Sequence, residues 1–286
     1  MTKLNLDQLH AVLLQLMLDI DEFCRRHGIR YSLSSGTMLG AVRHHGFIPW
    51  DDDVDLFMPR PDSERFVALY NDWHQDSPYK CSYGGNLPEY INRTAWIKII
   101  DTRTSIKERD GSVGDIGVSI DIFPVDGTPS DPVLRDKFAR KSSSLCHRLF
   151  LSSRKLFPLS THIPLLAHLS ALRHSPEWWF EKATGYMTQY KFEESEYVWA
   201  VCERYELEFP VERETFNRMI MMDFEGHKFP VFDKYDEYMT LQYGDYMTPP
   251  PESKRVCHFA DTFWNEEVLP EWLLAVNCWP LASHQD

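Results

Sequence analysis

The chain has 286 residues, of which 43% are hydrophobic and 14% aromatic, enough to build a substantial core in one large domain or two small ones. Its formal net charge of −13 argues against a general nucleic-acid-binding protein, because neutralising phosphates requires clustered lysines and arginines. The same surplus of acids is compatible with an enzyme that holds cations and uses a nucleotide.

The cysteines and the hydrophobic profile predict a cytoplasmic protein. The six cysteines are scattered, and no pair has the CxxC spacing of a structural zinc site, so we expect reduced thiols. The N-terminal segment lacks the basic start and the uninterrupted apolar core of a signal peptide. No apolar run approaches the roughly 18 residues that would span a bilayer.

The N-terminal part of the chain predicts a helix, a strand and then a tight turn. Residues 5–27 carry apolar side chains every three or four positions, and Gly28 would end this helix. The turn at Gly36 and Thr37 can bring backbone N–H groups close to a phosphate. Arg43 follows, where its charge would stabilise a leaving phosphate, or would pair with the acids that come next.

Four aspartates lie directly before and within an apolar strand: Asp51, Asp52, Asp53 and Asp55. Because side chains alternate across a strand, we expect Asp53 and Asp55 on one face and Val54 on the other. Two such carboxylates repel each other unless a cation lies between them. Oxygen ligands of this kind suit Mg²⁺ or Mn²⁺ that also binds substrate phosphates. The alternative is a solvated acidic loop.

Two further predicted strands each carry one charged residue among apolar neighbours. Lys98 lies in the strand predicted at 96–100, where it would either extend towards solvent or contact phosphate. Asp121 lies in the strand predicted at 117–124, where an ionisable group costs free energy unless it has a partner. A role for Asp121 as third metal ligand or as general base would supply that partner.

These features occur in an order that resembles the nucleotidyltransferase superfold: a Gly-Thr turn, a strand with Asp-x-Asp, and an apolar strand with one aspartate. Three longer segments resemble the LicD family: GTMLGAVRHHGFIPWDDDVDLFMPR at 36–60, IDIFPVDG at 120–127 and YDEYMTLQYGDYMTPPPESKRVCH at 235–258. They follow the family's order across most of the chain. The family includes bacterial phosphocholine transferases and is distantly related to eukaryotic fukutin-type sugar-alcohol phosphate transferases.

The pattern and the resemblance together predict an α+β fold. Residues 1–130 would form a nucleotidyltransferase-like core, a mixed β-sheet flanked by helices. Residues 131–286 would form a mainly helical portion that packs on the core and completes the active site. The predicted catalytic and metal-binding residues are Asp53, Asp55 and Asp121, with Mg²⁺ or Mn²⁺ as cofactor. The predicted nucleotide or phosphate contacts are Gly36, Thr37, Arg43, Lys98, Arg255 and His258, the last two implied by the resemblance, with a structural role as their alternative.

The activity implied by the resemblance is transfer of phosphocholine from CDP-choline to a sugar hydroxyl of a cell-surface glycan, lipopolysaccharide or teichoic acid, with release of CMP. One alternative is another CDP- or CMP-activated head group, such as ethanolamine, glycerol, ribitol or a phosphonate. A second is a nucleotidyltransferase in the strict sense, which would release pyrophosphate. A third alternative is a non-catalytic binding protein on the same fold. Such a protein would lack some of the catalytic aspartates, whereas Asp53, Asp55 and Asp121 are all present.

The stretch from Lys137 to Pro176 contains lysines, arginines and histidines but no acid. In so acidic a chain this asymmetry predicts either a basic helical cap over the active site or a peripheral contact with an anionic membrane or a polyanionic acceptor. The second interpretation would place the protein at the inner face of the cytoplasmic membrane, where it would meet a glycan or glycolipid acceptor.

The last third of the chain predicts a surface segment and one clear helix. Residues 193–214 are rich in glutamate, which predicts an exposed segment. Residues 233–243 predict a helix that Gly244 ends, and three prolines follow at 249–251.

Overall fold

A computed structural model describes residues 1–87, 94–107, 116–153, 169–202, 211–255, 257 and 261–278. The helices are α1 (Leu6–His27), α2 (Ser35–His44), α3 (Arg60–Trp73), α4 (Pro132–Ser152), α5 (Pro176–Met187), α6 (Tyr235–Tyr243) and α7 (Glu271–Leu274). The strands are β1 (Thr2–Lys3), β2 (Ser32–Leu33), β3 (Asp55–Pro59), β4 (Tyr79–Ser82), β5 (Ile97–Asp101), β6 (Thr104–Lys107), β7 (Ser119–Thr128), β8 (Tyr197–Trp199), β9 (Val211–Glu212), β10 (Met219–Phe224), β11 (His227–Phe232) and β12 (Asp261–Trp264). This combination confirms the predicted α+β class.

The largest sheet has the strand order β2-β3-β7-β5-β4, and β8 and β9 extend it beside the far half of β7. Strands β3 and β7 run parallel, whereas the other pairs in this sheet run antiparallel, so the sheet is mixed as predicted. The first half of β7 pairs with β3 and β5, and its last three residues pair with β8. This central position explains the near-continuous burial of β7, because both of its faces are covered.

Helix α1 packs against β7 and supplies a large part of the hydrophobic core. Asn5 and Gln8 form a capping box at its start, and Gly28 ends it in the left-handed conformation with φ of 60°. Apolar residues at helical spacing, such as Leu13 and Leu16, are completely buried. The helix predicted in this region is therefore confirmed.

Two smaller sheets join distant parts of the chain. One has the order β1-β12-β6, so it brings the N-terminal and C-terminal segments beside residues 104–107. The other is the hairpin β10–β11, which turns at Glu225 and Gly226, both with positive φ. This hairpin packs against α2 and β2. It was not predicted from the sequence. Its turn contacts the loop that precedes β3.

The part of the chain after residue 130 contributes helices α4 to α7 and also the strands β8 to β12. Strand β8 lies in the segment 193–214, and its Val198 and Trp199 are buried. The prediction of an exposed segment is therefore wrong at β8, because pairing with β7 covers it. Residues 203–210 lie outside the described residues. The division into units 1–130 and 131–286 stays a prediction.

Candidate active site

The acids predicted to bind metal lie at the start of two neighbouring parallel strands. Asp55 opens β3 and stands opposite Asp121 of β7 in the strand register. In-register side chains on parallel strands project from the same face, and neighbouring strands lie about 4.8 Å apart, so the two carboxylates are side by side. The strand begins at Asp55 and not at Asp53 as predicted. Burial still alternates, with Val54 buried and Asp53 and Asp55 partly exposed, in agreement with the predicted shared face.

The Asp121 carboxylate accepts a hydrogen bond at each of its oxygens. Lys98 Nζ donates to Oδ1 at 2.5 Å, and Trp96 Nε1 donates to Oδ2 at 2.8 Å. Lys98 is opposite Asp121 in the β5–β7 register, and the Trp96 ring lies 5.1 Å from that of Phe123. Asp121 thus has the partners that a charged group in an apolar strand requires. Its oxygens retain lone pairs for a further contact. Trp96 was not predicted as a site residue.

The predicted Gly-Thr turn forms the first turn of α2, next to the acids. Thr37 Oγ1 accepts a hydrogen bond from the Asp55 N–H at 2.9 Å, which ties this helix to β3. A Cβ placed on Gly36 would lie 2.8 Å from a carboxylate oxygen of Asp51, so a larger residue there would displace that carboxylate. The N–H groups and the dipole at a helix N-terminus favour an anion at this point.

Two serines just before the turn are further candidate site residues that the sequence did not predict. The hydroxyls of Ser34 and Ser35 are buried, and within the described part of the chain neither has a hydrogen-bond partner. Ser35 also has φ of 44°, a conformation that residues other than glycine rarely adopt and that clusters at functional sites. Buried hydroxyls without partners beside a helix N-terminus are available to a phosphate oxygen. The only sequence signal was the small polar run before Gly36.

Arg43 lies at the other end of α2, close to the C-terminal segment of the chain. Its Nε donates to His44 Nε2 at 2.9 Å and its Nη1 to the carbonyl oxygen of Tyr246 at 2.8 Å. The alternative role, pairing with the acids, stays a prediction. Burial, and then the positive charge of Arg255, lower the pKa of Arg43. The Arg255 guanidinium lies 4.2 Å from the centre of the Trp50 ring. Two neighbouring guanidinium groups favour binding of an anion.

His258 lies outside the described residues, so its predicted phosphate contact stays a prediction. Across the described ranges, no three His, Cys, Asp or Glu side chains are grouped so that they could hold a metal ion. The ligand set of Asp53, Asp55 and Asp121 therefore also stays a prediction. The donor atoms that are present fit Mg²⁺, because proteins usually hold this ion through one or two carboxylates and leave the remaining positions to water and substrate phosphates.

Residues 28–162 match the family model described as LicD/FKTN/FKRP, nucleotidyltransferase domain. The chain is 32% identical over 267 residues to the lipopolysaccharide cholinephosphotransferase LicD of Haemophilus influenzae, and the match covers 90% of this chain and 97% of that protein. A segment of 29 residues is 62% identical to the mouse ribitol 5-phosphate transferase FKRP, which is 10% of this chain and 6% of that protein.

The matched region contains the elements that build the site. The family model covers α2, β3, β5 and β7, and hence Asp53, Asp55, Lys98 and Asp121. The match to the Haemophilus protein extends over nearly the full length of both chains. The resemblance found in the sequence is confirmed, and the chain is a transferase. The chain belongs to the LicD family.

Proposed function

We propose that the chain is a metal-dependent phosphotransferase that moves phosphocholine from CDP-choline to a sugar hydroxyl of a cell-surface glycan, with release of CMP. The in-register pair of Asp55 and Asp121 beside the N-terminus of α2 supports this proposal most strongly. It offers cation-binding oxygens next to anion-binding N–H groups, which suits a diphosphate with a divalent cation. Similarity to a lipopolysaccharide cholinephosphotransferase supports the choice of head group.

The proposed cofactor is Mg²⁺ or Mn²⁺, held by Asp53, Asp55 and Asp121 together with phosphate oxygens of the donor. When bound, this cation would offset negative charge on the diphosphate and on the departing CMP. Residues of the chain would orient the same groups. The first turn of α2, residues 34–37, would bind phosphate oxygens, and Arg43 with Arg255 would stabilise the charge on CMP.

The transfer exchanges one phosphorus–oxygen bond for another. The oxygen of the sugar hydroxyl bonds to the phosphorus that carries choline. The bond from this phosphorus to the bridging oxygen of the diphosphate breaks, and CMP leaves with that oxygen. The hydroxyl proton passes to Asp121, which Lys98 and Trp96 hold in place. Lys98 stays a candidate for phosphate contact.

Two alternatives would use the same residues. The donor could carry ethanolamine, glycerol, ribitol or a phosphonate, and the short similarity to a ribitol 5-phosphate transferase is the observation that favours ribitol. A nucleotidyltransferase in the strict sense would instead transfer the nucleotide and release pyrophosphate. For the acceptor, lipopolysaccharide is favoured over teichoic acid by the name of the Haemophilus relative.

Membrane contact through the basic stretch 137–176 stays a prediction, as does a location at the inner membrane face. In its described part, Arg140 forms an ion pair with Asp136, and Arg148 lies 5.3 Å from the centre of the Trp179 ring. Residues 154–168 lie outside the described residues. No helix among the described residues is both long enough and apolar enough to cross a bilayer.

Calorimetric titration with CDP-choline, CDP-ethanolamine and CDP-glycerol, each with and without Mg²⁺, tests the proposed donor. We expect Mg²⁺-dependent binding of CDP-choline and much weaker binding of the other two. Turnover with a glycan acceptor should then release CMP and no pyrophosphate. The phosphocholine proposal is wrong if none of the three binds, and a preference for another CDP-alcohol would assign a different head group.

Replacing Trp96 with phenylalanine is expected to lower kcat about 10- to 100-fold, because a hydrogen bond to a charged group contributes about 1.5–3 kcal/mol. Because Trp96 donates to Asp121, an unchanged KM for the donor would assign the effect to proton transfer, and a raised KM would assign it to cation binding. Steady-state kinetics measure both constants. Trp73→Phe is the matched control, because Trp73 is half exposed on α3. An equal kcat in both variants would contradict the role of Trp96.

A further inference from the structure

The loop that carries the aspartates is fixed by side chains from distant parts of the chain. This acid loop, residues 45–54, connects α2 to β3 and has little regular secondary structure of its own. Within it, the Asp51 N–H donates to the carbonyl oxygen of Ile48 at 2.9 Å. Because the loop forms neither a helix nor a strand, contacts with other parts of the chain help to hold its carboxylates in one position.

The first of these contacts comes from the turn of the β10–β11 hairpin. The Glu225 N–H donates to the His45 carbonyl oxygen at 2.9 Å, and Glu225 Oε1 accepts from the Phe47 N–H at 3.1 Å. Glu225 has φ of 49° and Gly226 has φ of 75°, as a tight two-residue hairpin turn requires. A Cβ on Gly46 would lie only 2.1 Å from Glu225 Oε1. A larger residue at position 46 would therefore displace the Glu225 carboxylate from the Phe47 N–H.

The second contact comes from α1. The His10 ring stacks on the Phe47 ring, with centroids 4.1 Å apart and an interplanar angle of 2°. Phe224 of the hairpin meets the Phe47 ring edge-to-face at 4.8 Å. His10 Nε2 lies 2.7 Å from the Asp51 carbonyl oxygen, and because a carbonyl only accepts, Nε2 carries the proton and donates. His10 therefore holds the acid loop at two points, the Phe47 ring and the Asp51 main chain.

These contacts act on the backbone that carries the carboxylates. Glu225 fixes the start of the acid loop, and His10 fixes Asp51, which is two residues before Asp53. The Asp51 carboxylate in turn lies against the first turn of α2, where a Cβ on Gly36 would be 2.8 Å from one of its oxygens. Groups that orient metal ligands without touching the metal contribute strongly to its binding. Their loss typically lowers metal affinity or activity about 10- to 100-fold.

We propose that Glu225 and His10 are positioning residues, which hold the acid loop so that Asp53 and Asp55 present their carboxylates to a divalent cation. The inference rests on the proposed function, because it assumes that these aspartates bind the cation. It assigns to the C-terminal part of the chain a specific role in completing the active site, through the turn of the β10–β11 hairpin.

Calorimetric titration of the full-length chain with Mn²⁺ alone tests this proposal without the need for a donor or an acceptor. Glu225→Ala and His10→Ala are each expected to weaken Mn²⁺ binding by a factor of about 10 or more. Glu225→Gln should retain most of the affinity, because its amide oxygen can still accept from the Phe47 N–H. Asp223→Ala is the matched control, since it removes an exposed acid, paired with Lys228, from the same hairpin.

A purely structural role would lower the unfolding temperature of the variants and leave the Mn²⁺ dissociation constant of the folded protein unchanged, which would overturn the proposal. An equal loss in Asp223→Ala would also overturn it, because the effect would then be one of net charge. Glu225→Asp keeps the charge but withdraws the carboxylate from Phe47, so it should weaken binding even if the alanine variant fails to fold. If the wild-type chain binds Mn²⁺ neither alone nor with CDP-choline present, the proposed function fails. If the wild-type chain binds Mn²⁺ and the Glu225 and His10 variants bind it equally well, only this inference fails.

Discussion

Replacing Asp53 or Asp55 with alanine is expected to lower turnover by a factor of about 1,000 or more, because a bound cation supplies several kcal/mol of charge stabilisation and each 1.36 kcal/mol is a factor of ten. The fold should survive, since both side chains are partly exposed and the backbone contacts of β3 do not depend on them. Release of CMP from CDP-choline measures turnover. Circular dichroism and thermal unfolding measure the fold.

A second acid serves as the control for this experiment. Asp76 is exposed just after α3, and Asp76→Ala removes the same charge from the protein at a position outside the site. We expect it to keep wild-type turnover and wild-type Mn²⁺ binding, whereas the Asp53 and Asp55 variants lose both. Wild-type activity in both of these variants would show that the carboxylates do not bind the cation that catalysis needs.

The central pair of carboxylates was predictable because its signal is local. Asp55 stands in a short segment with strand alternation, and Asp121 stands alone in an apolar strand, so each could be recognised from its immediate neighbours. Their order along the chain, with the Gly-Thr turn before them, then suggested the fold. In the structure, the parallel register of β3 and β7 places Asp55 opposite Asp121.

The supporting residues could not be found in the same way, because they depend on pairing between segments that are far apart in the sequence. Trp96 reaches Asp121 only through the register of β5 against β7. Glu225 lies 178 residues from Phe47, and a local pattern shows only an exposed acid in a turn. Trp199 is buried because β7 continues beyond its pairing with β3. The apolar run at 197–202 was a signal for this strand that the glutamates around it concealed.

The same limit applies to a buried ion pair that joins the end of β7 to the start of α3. Arg60 follows the strand that carries Asp55, and Asp126 precedes a glycine, so the sequence suggests a strand end and a turn. In the structure, Arg60 donates to both oxygens of Asp126 at 2.7 Å, and to the Tyr83 hydroxyl at 2.9 Å. The side chains of Arg60 and Asp126 are only 8% and 1% exposed. Burial opposes the charge on Arg60, but Asp126 outweighs burial and raises the pKa of Arg60.

Replacing Arg60 with alanine is expected to lower the free energy of unfolding by about 3–5 kcal/mol, because Asp126 would be left buried without its partner. The double variant Arg60→Met, Asp126→Leu should lose much less, since it removes both charges and keeps most of the volume. Chemical denaturation followed by circular dichroism measures these differences. The comparison separates the cost of an isolated buried charge from the net contribution of the pair.

Arg140→Ala provides the matched control, because Arg140 also pairs with an aspartate, Asp136, but with 76% of its side chain exposed. Exposed ion pairs of this kind contribute little, so the unfolding midpoint of this variant should stay at the wild-type value. If Arg60→Ala is no less stable than Arg140→Ala, water must reach Asp126 once the guanidinium is removed. The pair would then not hold β7 and α3 together, and the position of Asp55 at the start of β3 would have to depend on the sheet alone.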